Sequence, residues 1–248
     1  MTSFHSSNAG NQTSTRRLLL KLSGESLCGP GGFGIDPDEL GLISGELGSA
    51  AKAGARFALV IGGGNIIRGA ELARGGQIER ATADHLGMLG TIMNALALRD
   101  RLERDGTPAA VMSALAVRGV AEVFDRRGGI EILESGRVLI LAGGTGNPYF
   151  TTDLCAALRA AELGCDEMLK ATKVDGVYDA DPVKNPGATR FETLSLTEAL
   201  ERGLGVMDHA AAAICRDAGI PVRVFAFKEP GNIRRVVEGG SVGTLVTP

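Results

Sequence analysis

The sequence predicts an α/β fold in which helices cover both faces of a mostly parallel sheet. Three observations predict it. Short apolar runs alternate with helical patterns along the 248 residues, the order expected of strands joined by crossover helices. The runs are close to continuous in Leu, Ile, Val and Ala, as strands buried on both faces require. Aromatic residues make up only 4% of a chain that is 44% hydrophobic, and there is no Trp, so the core is aliphatic. This length allows one large domain or two small ones.

The elements follow in order. RLLLKLS (17–23) reads as a strand despite its leucines, because it is short and bounded by glycine. Asp36 is an N-cap candidate, with Pro37 at the first helical position and Glu39 three residues on; that helix runs to about residue 53 and stops at Gly54. RFALVIGG (56–63) is the second strand, and a long helix covers 79–105. PAAVMSA (108–114) and RVLILAGG (137–144) are further strands. A helix over 152–163 follows the glycine loop directly, and EMLKAT (167–172) is the next strand. Residues 173–190 are polar and turn-rich, with Pro182 and Pro186; they either separate two lobes or form a mobile loop. Short helices are expected at 196–202, 207–218 and 232–238, a strand at PVRVFAF (221–227), and a closing edge strand in GTLVTP. The first 15 residues, rich in Ser, Thr, Asn and Gln, read as a disordered tail.

Composition removes several functions. A net charge of −3 argues against general nucleic-acid binding, although local basic clusters can still meet phosphate. Cys28, Cys155, Cys165 and Cys215 form no C-x-x-C pair and read as reduced, mostly buried thiols. Arg16-Arg17 before LLLKL imitates an export signal, but Lys21, Ser23 and Glu25 interrupt the apolar run, where a signal needs about 7–15 apolar residues. No window reaches the ~18 apolar residues of a membrane span. The expectation is a soluble, cytoplasmic protein with no membrane partner.

Three predicted strands end in glycine-rich turns: KLSGE, GGGN and GGTGN. In open parallel sheets, ligands bind beyond the carboxyl ends of the strands, and glycines let backbone N–H groups approach phosphate oxygens. Three such turns on one rim point to a polyphosphate or two phosphorylated ligands. The P-loop pattern is absent. G-x-G-x-x-G occurs once, at Gly29, Gly31 and Gly34, but the second strand ends in Gly62-Gly63-Gly64-Asn65 rather than in the acid a dinucleotide site uses. The histidines are His5, His85 and His209, in no triad or metal spacing, so hydrolase readings fall away.

The positive charge must then come from elsewhere. Lys21 interrupts an apolar strand just before a glycine turn. It either faces an anionic ligand or points to water from an edge strand. Arg68 follows the GGGN turn and offers a phosphate-binding fork, or is a surface arginine. Asp153 either orients Lys21 or caps its helix. Lys170, at a strand end, is a further source of charge, and Asp208 is read as a cap or an interface residue.

The motifs KLSGE, VIGGGNIIRG, DHLGMLGT, AGGTGNPYFTTD, KATKVDGVYDADP, VMDHAA and RVFAF occur in that order over residues 16–248. With them the chain resembles the bacterial uridylate kinases, a branch of the amino-acid kinase family. The resemblance implies a single-domain, three-layer α/β/α sandwich, with an acceptor half before an ATP half. It implies transfer of the ATP γ-phosphate to UMP with Mg²⁺, in pyrimidine nucleotide synthesis. Lys21, Leu22, Ser23, Gly24, Gly64, Arg68, Thr172, Tyr178 and Asp181 would contact ATP. Gly63, Asp84, Thr145, Gly146, Asn147, Pro148, Tyr149, Phe150, Thr151 and Thr152 would contact UMP. Lys21, Arg68 and Asp153 would serve catalysis, and the metal ligands are not assigned. The resemblance further implies a homohexamer, inhibition by UTP and activation by GTP, with Gly29, Pro30, Gly31, Gly32, Phe33 and Gly34 as the GTP-associated segment. Two rival readings stand beside it: a kinase for a carboxylate acceptor, and a non-catalytic nucleotide-binding sensor or storage protein of the same fold.

Overall fold

A computed structural model describes residues 15–74, 76 and 78–248. Residues 1–14, which hold all but the last residue of the expected tail, lie outside the described residues. The strands are β1 (Arg17–Leu22), β2 (Arg56–Ile61), β3 (Ala109–Ser113), β4 (Glu122–Val123), β5 (Val138–Ala142), β6 (Glu167–Thr172), β7 (Thr193–Ser195), β8 (Val222–Ala226) and β9 (Thr244–Thr247). They form one sheet in the order β4-β3-β5-β2-β1-β6-β8-β9-β7. Every pairing is parallel except that of β8 with β9.

The helices are α1 (Pro37–Lys52), α2 (Gly69–Arg74), α3 (Arg80–Arg104), α4 (Arg126–Glu134), α5 (Thr152–Leu163), α6 (Leu196–Glu201), α7 (His209–Asp217) and α8 (Asn232–Val237). Alternation along each strand divides the core. Leu18, Leu20 and Leu22 of β1 face one cluster, with Ile43 of α1, Leu98 of α3 and Ile233 of α8. Leu19 faces the other, with Leu133 of α4, Ala156 of α5, Leu196 of α6 and Ala211 of α7. Four fully buried leucines in one strand contribute roughly 2 kcal/mol each. Burial of that size overrides leucine's mild preference for helix. The three-layer sandwich is therefore as expected.

Asp36 caps α1, accepting from the N–H groups of Asp38 at 2.8 Å and Glu39 at 3.2 Å. The four cysteines are free and buried, as expected; burial pushes the Cys165 and Cys215 thiols up to about 12. One expectation is corrected. The closing strand β9 is not an edge strand, because the short β7 pairs with its outer side. Residues 173–190 do not divide the sheet, since β6 before them and β7 after them belong to it. They form a loop drawn together by a bridge between Tyr178 and Arg190 and by the N–H of Asp179 donating to Thr189 O at 3.1 Å.

The end of the sheet away from the glycine turns is fastened by charge. Glu167, 3% exposed, accepts from Arg223 Nε at 2.6 Å and also from Arg16. Losing the carboxylate strands Arg223, whose side chain is 16% exposed. Glu167→Ala should lower the unfolding free energy by about 3 kcal/mol, measured by urea denaturation. A loss below about 1 kcal/mol, the range of an exposed pair, would show that this ion cluster does not hold β1, β6 and β8 together.

Candidate active site

β1 and β6 are hydrogen-bonded neighbours, and their register sets Lys21 beside Lys170. Both point to the α5 side of the sheet. Two ammonium groups placed side by side repel each other. Asp153, the second residue of α5, stands between them: Lys170 Nζ lies 2.6 Å from Oδ2 and Lys21 Nζ 3.1 Å from Oδ1. The Lys21 contact is an ion pair off the hydrogen-bond angle, so Oδ1 is buried with no hydrogen-bond partner among the described residues. Lys170 also donates to Val206 O. The three side chains are 14% (Lys21), 15% (Asp153) and 13% (Lys170) exposed. Burial pushes the Asp153 carboxyl upward; the charges of Lys21 and Lys170 more than reverse this and hold it below the usual carboxylate range. The cluster carries one surplus positive charge.

Two of the alternatives left open by the sequence, an edge-strand Lys21 and a helix-capping Asp153, do not match the geometry. β1 is paired on both sides, so Lys21 is not on an edge strand. Thr151 is the N-cap of α5, accepting from the Leu154 N–H at 3.0 Å, which leaves Asp153 to hold the lysines. Asp208 caps α7, accepting from the Ala211 N–H at 2.9 Å, and it also accepts the Thr151 hydroxyl.

Two clefts open nearby, one reaching Thr152, next to Asp153, and the other Lys170. The first, about 320 Å³, is lined by Gly63, Gly64, Asp84, Thr145, Phe150, Thr151 and Thr152 among others. Gly146, Asn147, Pro148 and Tyr149 form the outer arm of the same loop and do not line it. Asp84 ties this arm down: it accepts from the Tyr149 N–H at 2.8 Å and from Arg80 Nε at 3.0 Å. Tyr149 has φ 73°, a left-handed conformation that costs a non-glycine residue free energy, and its ring lies under the Arg80 guanidinium. The second cleft, about 500 Å³, brings Thr172, Tyr178 and Asp181 together with Lys170.

Other predicted residues lie around these clefts. Ser23 and Gly24 lead into a 3₁₀ turn, Gly24–Leu27. The Leu22 side chain is fully buried in the core, so only its backbone is available to a ligand. Arg68 is 3.4 Å from Glu25, and Lys173 is 2.9 Å from the same carboxylate. The hydrogen bond from Lys173, its charge and that of Arg68 hold the Glu25 carboxyl below its ordinary range. Gly31, Gly32 and Phe33 share a third hollow, about 610 Å³, with Gly64 and Arg68; Gly29 O accepts from the Gly32 N–H at 2.8 Å. Pro30 and Phe33 are exposed. His85 and His209 are exposed on helices. Lys170, expected only as a further source of charge, stands in the cluster itself; its signal in the sequence, a lysine near the end of an apolar strand, is the same as that of Lys21.

Close packing shapes the rim. A Cβ on Gly24 would stand 2.5 Å from Gly62 O, and one on Gly63 would collide with Gly87 O. Glycine at both positions lets the turn after β2 sit between the turn after β1 and α3.

Comparison with known proteins matches this architecture. Residues 16–226 fit the model of the amino acid kinase family. A uridylate kinase of Xanthomonas campestris pv. campestris is 53% identical over 236 residues, 95% of this chain and 98% of that protein. One from Ectopseudomonas mendocina is 53% identical over 238 residues, 96% of each. The crystal structure of UMP kinase from Bacillus anthracis superimposes with a TM-score of 0.91 at 38% identity, covering 94% of this chain and 96% of that one. That of UMP kinase from Ureaplasma parvum gives 0.88 at 34%, covering 95% and 100%. This chain belongs to the amino acid kinase family.

Proposed function

We infer that this chain is a UMP kinase, transferring the γ-phosphate of ATP to UMP to give UDP and ADP. The observation that carries the reading is the Lys21–Asp153–Lys170 cluster, with Lys170 on one cleft and Thr152, the neighbour of Asp153, on the other, in a chain about half identical to uridylate kinases along nearly its full length. The first cleft is assigned to UMP and the second to the adenosine side of ATP. This divides the chain into an acceptor half and an ATP half within one domain.

The acceptor phosphate has a second pKa of about 6, so its oxygen is already mostly ionised at neutral pH. No general base is needed, and the clefts are lined without histidine. The obstacle is repulsion between two polyanions, which positioning and charge must overcome. Lys21 stabilises charge on the transferring phosphoryl group, and Lys170 joins it. Asp153 acts through both lysines and orients them. Arg68 draws the phosphates together from the turn after β2. The N-terminus of α5, a 12-residue helix opening at Thr152, favours the acceptor phosphate. Asp84 holds the UMP ribose while keeping the Tyr149 arm in place.

Mg²⁺ is expected with ATP. Among the described residues no group of three or more His, Cys, Asp or Glu is arranged to hold a metal ion, and Asp153 is already engaged by two lysines. These residues do not form a protein cage for Mg²⁺, an ion usually held through substrate phosphates. No helix among the described residues is long and apolar enough to cross a membrane. A cytoplasmic place in pyrimidine nucleotide synthesis, a hexamer, GTP activation and UTP inhibition complete the proposal, on the resemblance alone.

The test is ADP release with ATP and Mg²⁺ across UMP, CMP, dTMP, aspartate and acetylglutamate. Turnover largely confined to UMP is expected. Turnover on a carboxylate, or ATP binding with no turnover on any acceptor, would overturn the reading. Asp84→Asn should raise KM for UMP by about 10-fold or more, as for a lost charge-assisted hydrogen bond, with KM for ATP little changed. Equal effects on both constants in initial-rate kinetics would remove Asp84 from the acceptor site.

A further inference from the structure

Two asparagines that the mechanism does not use are among the most buried polar residues described: Asn65 is 2% exposed and Asn94 0%. Their side-chain amides pair reciprocally. Asn94 Nδ2 donates to Asn65 Oδ1 at 2.7 Å, and Asn65 Nδ2 donates to Asn94 Oδ1 at 3.0 Å. Each amide spends its second N–H on a backbone carbonyl: Asn94 on Gly62 O at 2.8 Å, Asn65 on Gly34 O at 2.7 Å. The Gly34 N–H in turn donates to Asn65 O at 2.8 Å. All four amide N–H bonds are used, which is what a polar pair needs to survive full burial.

The network converges on the turn after β2. Gly62 O is held by Asn94, Gly63 O accepts from the N–H groups of Ile66 and Ile67 at 2.9 and 3.0 Å, and Asn65 O is held by Gly34. Three carbonyls of the turn are thus pointed at internal donors. That matters beside a phosphate site. A peptide flip in a glycine turn would aim a carbonyl oxygen at the ligand, turning attraction into repulsion. Gly63 and Gly64 line the first cleft, and Gly64 also borders the hollow under Phe33, so any flip here falls where the two substrates' phosphates are brought together.

We propose that Asn65 and Asn94 are positioning residues for phosphoryl transfer: the buried amide pair holds the Gly62–Asn65 turn with its carbonyls inward and its cleft side open to phosphate. It also ties Gly34 to that turn and, through Asn94, to α3. The proposal rests on the UMP kinase reading.

The experiment compares the wild type with Asn94→Ala, with the double variant Asn65→Leu/Asn94→Leu, and with Ser44→Ala. Ser44 is a buried polar residue of α1, bonded to Asp105 at 2.7 Å, and serves as the structural control. Asn94→Ala should lose kcat by about 30-fold or more per folded molecule while KM for either substrate moves less than about 3-fold, the pattern of a misplaced transition-state donor. The double variant removes both halves of the amide pair at once but takes the donors away from Gly62 O and Gly34 O; it should regain part of the Tm lost in the single variant and none of the kcat. Ser44→Ala should shift Tm alone. Recovery of kcat together with Tm in the double variant, or kcat within about 3-fold of wild type in both asparagine variants, would overturn the proposal and leave the UMP kinase reading intact. Absence of UMP turnover in the wild type would overturn that reading and this inference with it.

Discussion

One carboxylate shared by two lysines is the interaction on which the site depends. The register of β1 against β6 places Lys21 and Lys170 side by side at the rim, and without Asp153 their charges would push the side chains apart. With it, both ammonium groups are held a few ångströms from one point while their sum stays positive. The cost of burying these charges is offset only because each has a partner. It also explains why α5 begins where it does: Thr151 takes over the capping of the helix, so the acid two residues later is left for the lysines.

The rest of the rim is arranged by close backbone approach. Glycines at 24 and 63 let the turns after β1 and β2 pack against each other and against α3. Neighbouring strand ends therefore bring Lys21, Gly63 and Gly64 to one rim, and β5 and β6 add the Gly143–Thr151 loop and Lys170 on either side. The strained Tyr149 belongs to the same economy of space. Its N–H is held by Asp84, and Asp84 is held by Arg80, so the outer arm of the loop is fixed before any ligand arrives.

Much of this was legible in the sequence because central parallel strands leave little ambiguity. RLLLKL and EMLKAT are apolar on both faces, and a lysine inside such a run stands out. What could not be read depends on pairing order or on weak local pattern. β4 is two exposed residues, and β7 is three residues of which only Leu194 is buried; neither is long enough to carry a pattern, and without β7 the strand β9 looks like an edge. α4 opens Arg-Arg-Gly-Gly, which reads as a break, yet the Asp125 cap and burial of Leu133 carry it. The Lys21–Lys170 neighbourhood spans 149 positions of chain and exists only once the strand order is known. The Asn65–Asn94 pair is illegible for a related reason: its members lie 29 positions apart, one in a turn and one inside α3, and meet only in the fold.

The central claim is that Lys21 and Lys170 act as a unit through Asp153, and a double-mutant cycle in kcat tests it most directly. Lys21→Ala should lose about 10²-fold or more, as for a removed electrostatic stabiliser. If the lysines are one unit, adding Lys170→Ala should cost little beyond the worse single variant, because groups that act together are strongly non-additive. Losses that simply multiply would show two independent lysines, and Asp153 would then be no more than their common neighbour.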